Sequence, residues 1–164
     1  MTDHAFPAPE HDHGRCTTDA LAHAERICKQ RGQKLTPIRR RVLECLLESH
    51  RPLGAYDLID ALALHVARPA PITVYRALDF LLAQGLVHRI ESRNAFLACV
   101  GAHDPDTLIA FLICEQCGSV GEIATTNVVS TLNEAARAEG FAPHKAVVEI
   151  AGKCAHCRAR ESIA

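Results

Sequence analysis

Thr73-Val74-Tyr75-Arg76-Ala77-Leu78-Asp79-Phe80-Leu81-Leu82, stopped by Gly85 and followed by Leu86-Val87-His88-Arg89-Ile90, is the stretch that decides the fold class. The first part has the apolar spacing of a helix, and Gly85 supplies a stop. Residues 86–90 and 95–99 are apolar-rich runs on either side of a polar turn, Glu91-Ser92-Arg93-Asn94, which predicts a β-hairpin. A helix that runs into a hairpin is the second half of a winged helix-turn-helix when further helices precede it.

They do precede it. Thr36-Pro37 gives a helix start, with a side-chain oxygen for the free amides and proline at the first helical position. Ile38, Val42, Leu43, Leu46 and Leu47 then share one face and leave Arg39, Arg40 and Arg41 largely outside. A short helix over 55–64 turns Leu58, Ile59 and Leu62 inward, and Arg68-Pro69-Ala70-Pro71 breaks the chain before Thr73. Upstream, Thr18 or Asp19 can cap a helix through about Gln30, with Gly32 as its stop. Residues 1–17 are rich in Pro and His, carry no hydrophobic period and are expected to be a mobile tail, with His4, His11 and His13 at most weak metal contacts. The winged-helix domain is therefore expected over 18–98, with the helix from Thr73 placed in a DNA major groove.

Charge supports that polarity. Between Arg26 and Arg51 eight Lys or Arg face only Glu44 and Glu48, a net of +6, whereas residues 99–150 carry a net of −5. Phosphates suit the first segment and not the second. Beyond a hinge at 99–104, runs 108–113, 120–123 and 146–150 read as strands, and 127–139 as an amphipathic helix ended by Gly140. Residues 105–164 thus form a small α/β unit whose acidic surface suits dimerisation better than DNA.

Two Cys-x-x-Cys pairs, Cys114/Cys117 and Cys154/Cys157, bracket 36 residues of this unit. Matched pairs at that spacing are the ligands of one structural zinc, each tight turn offering two sulfurs at about 2.3 Å from the ion. A thiol oxidoreductase needs a lone reactive pair. A zinc hydrolase needs an open metal position and a base, and no His-Glu-x-x-His helix occurs. Aromatics are 4% with no Trp, little material for stacking on single strands. No run approaches the roughly 18 apolar residues of a membrane span, and residues 1–15 lack a signal-peptide core, so a cytoplasmic protein with reduced cysteines is expected.

Leu35-Thr36-Pro37-x-Arg39, Thr73-Val74-Tyr75-Arg76-Ala77-Leu78, and the two cysteine pairs with Glu149-x-x-Gly152 before the second resemble the ferric uptake regulator family of metal-dependent repressors over residues 20–158. Ala55-Tyr56-Asp57-Leu58, residues 75–81 and Gly85-Leu86-Val87-His88 most resemble its zinc uptake regulators. The resemblance implies an α+β chain that is no enzyme but a zinc-responsive repressor, a zinc-loaded homodimer on a palindromic operator of double-stranded DNA, with two dimers on one operator a further option. It implies DNA contacts from Arg39, Tyr56, Thr73, Tyr75 and Arg76; for the tyrosines, packing at the core edge is the competing role. It also implies a second, regulatory zinc held by His88, Cys99, a histidine past the hinge, and Glu122. The pattern puts that histidine eight residues past the hinge cysteine, where this chain has Thr107; His103 is the histidine of the loop, with Asp104 or Asp106 as substitutes. Iron, manganese or peroxide sensing is the alternative within the family, and Cys99 argues against it. His144 is read as a strand-end hydrogen bonder, and Cys16, Cys28 and Cys45 as incidental or packing residues.

Overall fold

The computed structural model describes residues 5–6, 13–48, 50–99, 108–125 and 127–161. Two compact units divide the chain, one of residues 9–102 and one of residues 103–164 together with 1–8.

The first unit is four helices and a hairpin: α1 (His13–Gln30), α2 (Pro37–Leu47), α3 (Ala55–Ala63), α4 (Pro71–Ala83), β1 (Val87–Ile90) and β2 (Ala95–Ala98). α1 begins before Thr18, which does not cap it: the Thr18 hydroxyl donates to the Gly14 carbonyl at 2.9 Å, a bond inside the helix. Thr36 does take the cap position before Pro37, but its hydroxyl makes no cap bond; its carbonyl receives the Arg40 N–H at 2.9 Å instead. At α3 the carboxylate of Asp57 accepts the Gly54 N–H at 3.1 Å, half of a capping box. α4 starts at Pro71, inside the expected break, because proline at the first helical position lacks only an amide that would have had no partner.

Val42, Leu43, Leu46, Leu58, Ile59, Leu62, Val74, Leu78 and Leu81 interlock at the centre of this unit. Cys28 and Cys45 lie in the same core, where burial raises both thiol pKa values and makes them inert packing groups. β1 and β2 pair antiparallel with His88 opposite Leu97, and Leu53 bridges to Phe96 by two backbone bonds of 2.9 and 2.8 Å. The hairpin is thereby sewn onto the helices. Asn94 closes the turn in the left-handed region, φ 46°, with its side-chain oxygen accepting from Arg89 at 3.0 Å.

The second unit is a three-stranded sheet in the order β4-β3-β5, from β3 (Ile109–Cys114), β4 (Val120–Ala124) and β5 (Val148–Gly152), with α5 (Asn127–Ala138) between β4 and β5 and α6 (Ala155–Glu161) at the end. β3 runs antiparallel to β4 and parallel to β5. β5 starts two residues later than its hydrophobic run, and its last residue, Gly152, pairs with Cys114. No residue of α5 is buried, and Val128 and Leu132 on it, with Ile150 on the edge strand β5, are exposed. Among the described residues no helix is long and apolar enough to cross a membrane.

Candidate functional site

The ligand atoms of Cys114, Cys117, Cys154 and Cys157 all lie within 4.8 Å of one another. Cys114 ends β3, and its loop is closed by two bonds of 2.9 Å, the Cys114 N–H to the Ser119 carbonyl and the Gly118 N–H to the Cys114 carbonyl. Gly118 at φ +77° takes the left-handed turn that a side chain would oppose. Cys154 and Cys157 stand before and within α6, so the second pair rides on a helix start. The Cys114–Cys157 and Cys117–Cys154 sulfurs are 3.8 and 3.9 Å apart. A tetrahedron with about 2.3 Å metal–sulfur bonds has edges of about 3.8 Å, whereas a disulfide would need about 2.05 Å. The cluster therefore fits zinc.

Its electrostatics point the same way. Burial alone would raise the Cys114 thiol, yet N–H groups from Cys117, Cys154 and Gln116 turn toward its sulfur and bring it down to about 6. Cys157 is pushed up to about 12 by burial and by the neighbouring sulfurs. One thiolate is welcome and further ones repel each other, the balance a divalent cation resolves.

On α4 the buried face is Val74, Ala77, Leu78 and Leu81, and the opposite face presents Ile72, Tyr75 and Arg76. Thr73 is half-buried in the first turn, its N–H bonded to the Ala70 carbonyl at 2.9 Å. Tyr75 is 41% and Tyr56 68% exposed. The basic run of α2 offers less charge than its count. Arg40 is bound by Glu25 and, at 2.9 Å, by Glu44, which also holds Arg41 at 2.9 Å. Arg31 donates to the Gln84 carbonyl at 3.0 Å, at the end of α4. Arg39 turns inward: its guanidinium lies 3.6 Å over the centre of the Phe80 ring and donates to the Lys34 carbonyl at 2.7 Å.

His88 and Cys99 meet on the hairpin. His88 faces Leu97, and Cys99, two residues further along the strand, bonds its N–H to the Leu86 carbonyl at 3.0 Å, so both side chains project from one face. Their ligand atoms are within 4.8 Å. Glu122 belongs to the other unit, on β4 opposite Phe111. His103, Asp104, Asp106 and Thr107 lie outside the described residues.

The sequence model of the ferric uptake regulator family matches residues 30–151. The chain belongs to that family. It is 42% identical over 141 residues to the zinc uptake regulation protein of Escherichia coli (strain K12), covering 86% of this chain and 82% of the relative. A solved structure of a zinc uptake regulator complexed with zinc and DNA matches with TM-score 0.83 at 41% identity, over 89% of this chain and 97% of that one. The crystal structure of holo XcZur matches with TM-score 0.76 at 44% identity, over 86% and 98%. Within this ferric uptake regulator family member, two roles had no signal in residue spacing. The seat of Arg39 on Phe80 depends on helices packed across the core, and the help Ser119 gives the cysteine cluster, its hydroxyl and N–H lowering the Cys117 thiol against the opposing effect of burial, depends on a folded turn.

Proposed function

We propose that this family member is a zinc-responsive transcriptional repressor that, as a zinc-loaded homodimer, binds a palindromic operator and represses zinc-uptake genes. The observation that carries the zinc reading is the sulfur–imidazole pair of Cys99 and His88 on one face of the hairpin. A Cys/His/carboxylate set is borderline-soft and favours zinc, whereas Fe(II) and Mn(II) suit nitrogen–oxygen sets. Two zinc ions per chain follow. Cys114, Cys117, Cys154 and Cys157 hold a structural ion with no open position for catalysis. His88, Cys99 and Glu122 hold a regulatory ion with His103 as fourth donor, or Asp104 or Asp106 in its place. A repressor with these parts works in the cytoplasm. A second copy covers the exposed apolar residues of α5 and the open edge of β5.

Arg76 pairs with a guanine edge, and Tyr56, Thr73 and Tyr75 contact phosphate or a thymine methyl. The exposed face of α4 supports this reading. Arg76→Ala should cost about 1–3 kcal/mol at the operator and relax specificity at one position. Unchanged sequence preference, measured by selection from random DNA, would place the recognition helix wrongly.

Arg39 is the exception in the set of DNA contacts. Seated on Phe80 and tied to Lys34, it braces α2 against α4 rather than reaching for phosphate. Arg39→Ala should therefore reduce discrimination between operator and random DNA while leaving the salt dependence of binding unchanged. A phosphate contact would instead weaken all sequences alike and lower the slope of log affinity against log salt by about 0.9. Anisotropy titrations at several salt concentrations separate the two.

A further inference from the structure

We propose that Phe6 and Gly121 are parts of the four-cysteine centre: Phe6 covers it, and Gly121 is the gap in β4 that admits the backbone carrying Phe6. This rests on the reading of the cysteine cluster as a zinc site.

Two separate observations meet here. Half-buried Phe6 packs against Cys114, Cys154 and Cys157, together with Cys117, which is the one sulfur of the set left half-open. One residue earlier in the chain, Ala5 crosses β4 at Gly121. A Cβ built there would stand 2.7 Å from the Ala5 carbonyl oxygen, 2.9 Å from its carbon and 3.0 Å from its Cβ. Two of those three atoms are backbone, which cannot rotate aside as the end of a long side chain can. Gly121 pairs with Leu112, one position along from the Val120–Ile113 pair that leads into the first cysteine loop. A side chain at 121 would lift the Ala5 backbone, and with it the ring, away from the sulfurs.

The chemistry of thiolate sites says what a cover does. Metal leaves such a site when a proton, a competing chelator or an oxidant reaches a sulfur, and each needs access from solvent. An apolar ring packed on the sulfur cluster restricts that access without ligating the ion. Phe6 and Gly121 are positioning residues, and their effect falls on the rate of metal loss and not on the ligand set.

The test uses full-length protein loaded with zinc, dialysed against a weak chelator until one zinc per chain remains, and then mixed with excess 4-(2-pyridylazo)resorcinol. Phe6→Ala should release this zinc about tenfold faster than wild type, the factor that roughly 1.4 kcal/mol gives. Phe6→Leu should stay near the wild-type rate. Gly121→Ala should match Phe6→Ala, and the double variant should be no faster than either. Circular dichroism and starting zinc content should be those of the wild type; a folded Phe6→Ala chain isolated already short of zinc is the same result at its limit. Equal release rates for wild type, Phe6→Ala and Gly121→Ala overturn the proposal. A wild-type chain that retains no tightly held zinc, or one whose zinc survives Cys114→Ser, overturns the zinc reading beneath it instead.

Discussion

Cys114→Ser or Cys154→Ser should yield a chain that lacks one zinc, loses the fold of its second unit and no longer dimerises. This is the largest effect expected of any single substitution here. The helices of the second unit add little: α5 buries no residue, and α6, with seven residues, is shorter than a helix that persists unaided. The buried apolar side chains of its strands are those of Ile109, Ala110, Phe111 and Ile113 on β3 and Val120 on β4. The cluster joins the end of β3 to the end of β5, which pair through Cys114 and Gly152. Structural zinc contributes about 10–16 kcal/mol to folding in small domains, comparable to the whole net stability of about 5–15 kcal/mol of an ordinary one. Metal content, light scattering and circular dichroism on the same sample check the result. A dimeric, fully helical Cys114→Ser chain without that zinc would remove the four-cysteine site from the account.

Cys99→Ser and His88→Ala should behave in the opposite way. Each should give a folded dimer carrying one zinc per chain, whose operator affinity no longer rises with free zinc. Metal shifts a hinge only by its differential affinity for one arrangement, and the proposed donors accordingly come from both units, His88 and Cys99 from the first and Glu122 from the second. Under the proposed function, bound zinc should hold the two recognition helices of the dimer about one DNA turn apart, roughly 34 Å, the spacing a palindrome demands. His103→Ala tests the fourth donor: a wild-type zinc response would exclude it and turn attention to Asp104 and Asp106. Wild-type responses in Cys99→Ser and His88→Ala as well would remove the regulatory site altogether.

Much of this architecture is legible in residue order because the signals are local. Thr36-Pro37 opens α2, the polar turn at 91–94 closes the hairpin, and paired Cys-x-x-Cys spacing brings four sulfurs together across 36 residues. The misjudged features are those decided by packing. Pro71 reads as a breaker yet opens α4, since a first helical residue needs no amide donor. α6 is too short to show a period, and β5 is offset by two residues, its end fixed by pairing with β3 as far as Cys114 rather than by its apolar run. The charge of Arg39, Arg40 and Arg41 is plain in the sequence, but the seating of Arg39 on Phe80 and the pairing of Arg40 and Arg41 with Glu25 and Glu44 are not. Nor does a lone Phe6 announce a contact with cysteines more than a hundred residues away.

The most direct test of the zinc-responsive repressor is an anisotropy titration of the wild-type dimer on a palindromic operator selected from random DNA, with free zinc, Fe(II) and Mn(II) each buffered in turn. Zinc should tighten binding at far lower free concentration than Fe(II) or Mn(II), while the structural zinc stays bound throughout. Tightening by Fe(II) or Mn(II) but not by zinc, or an affinity indifferent to all three, would contradict it.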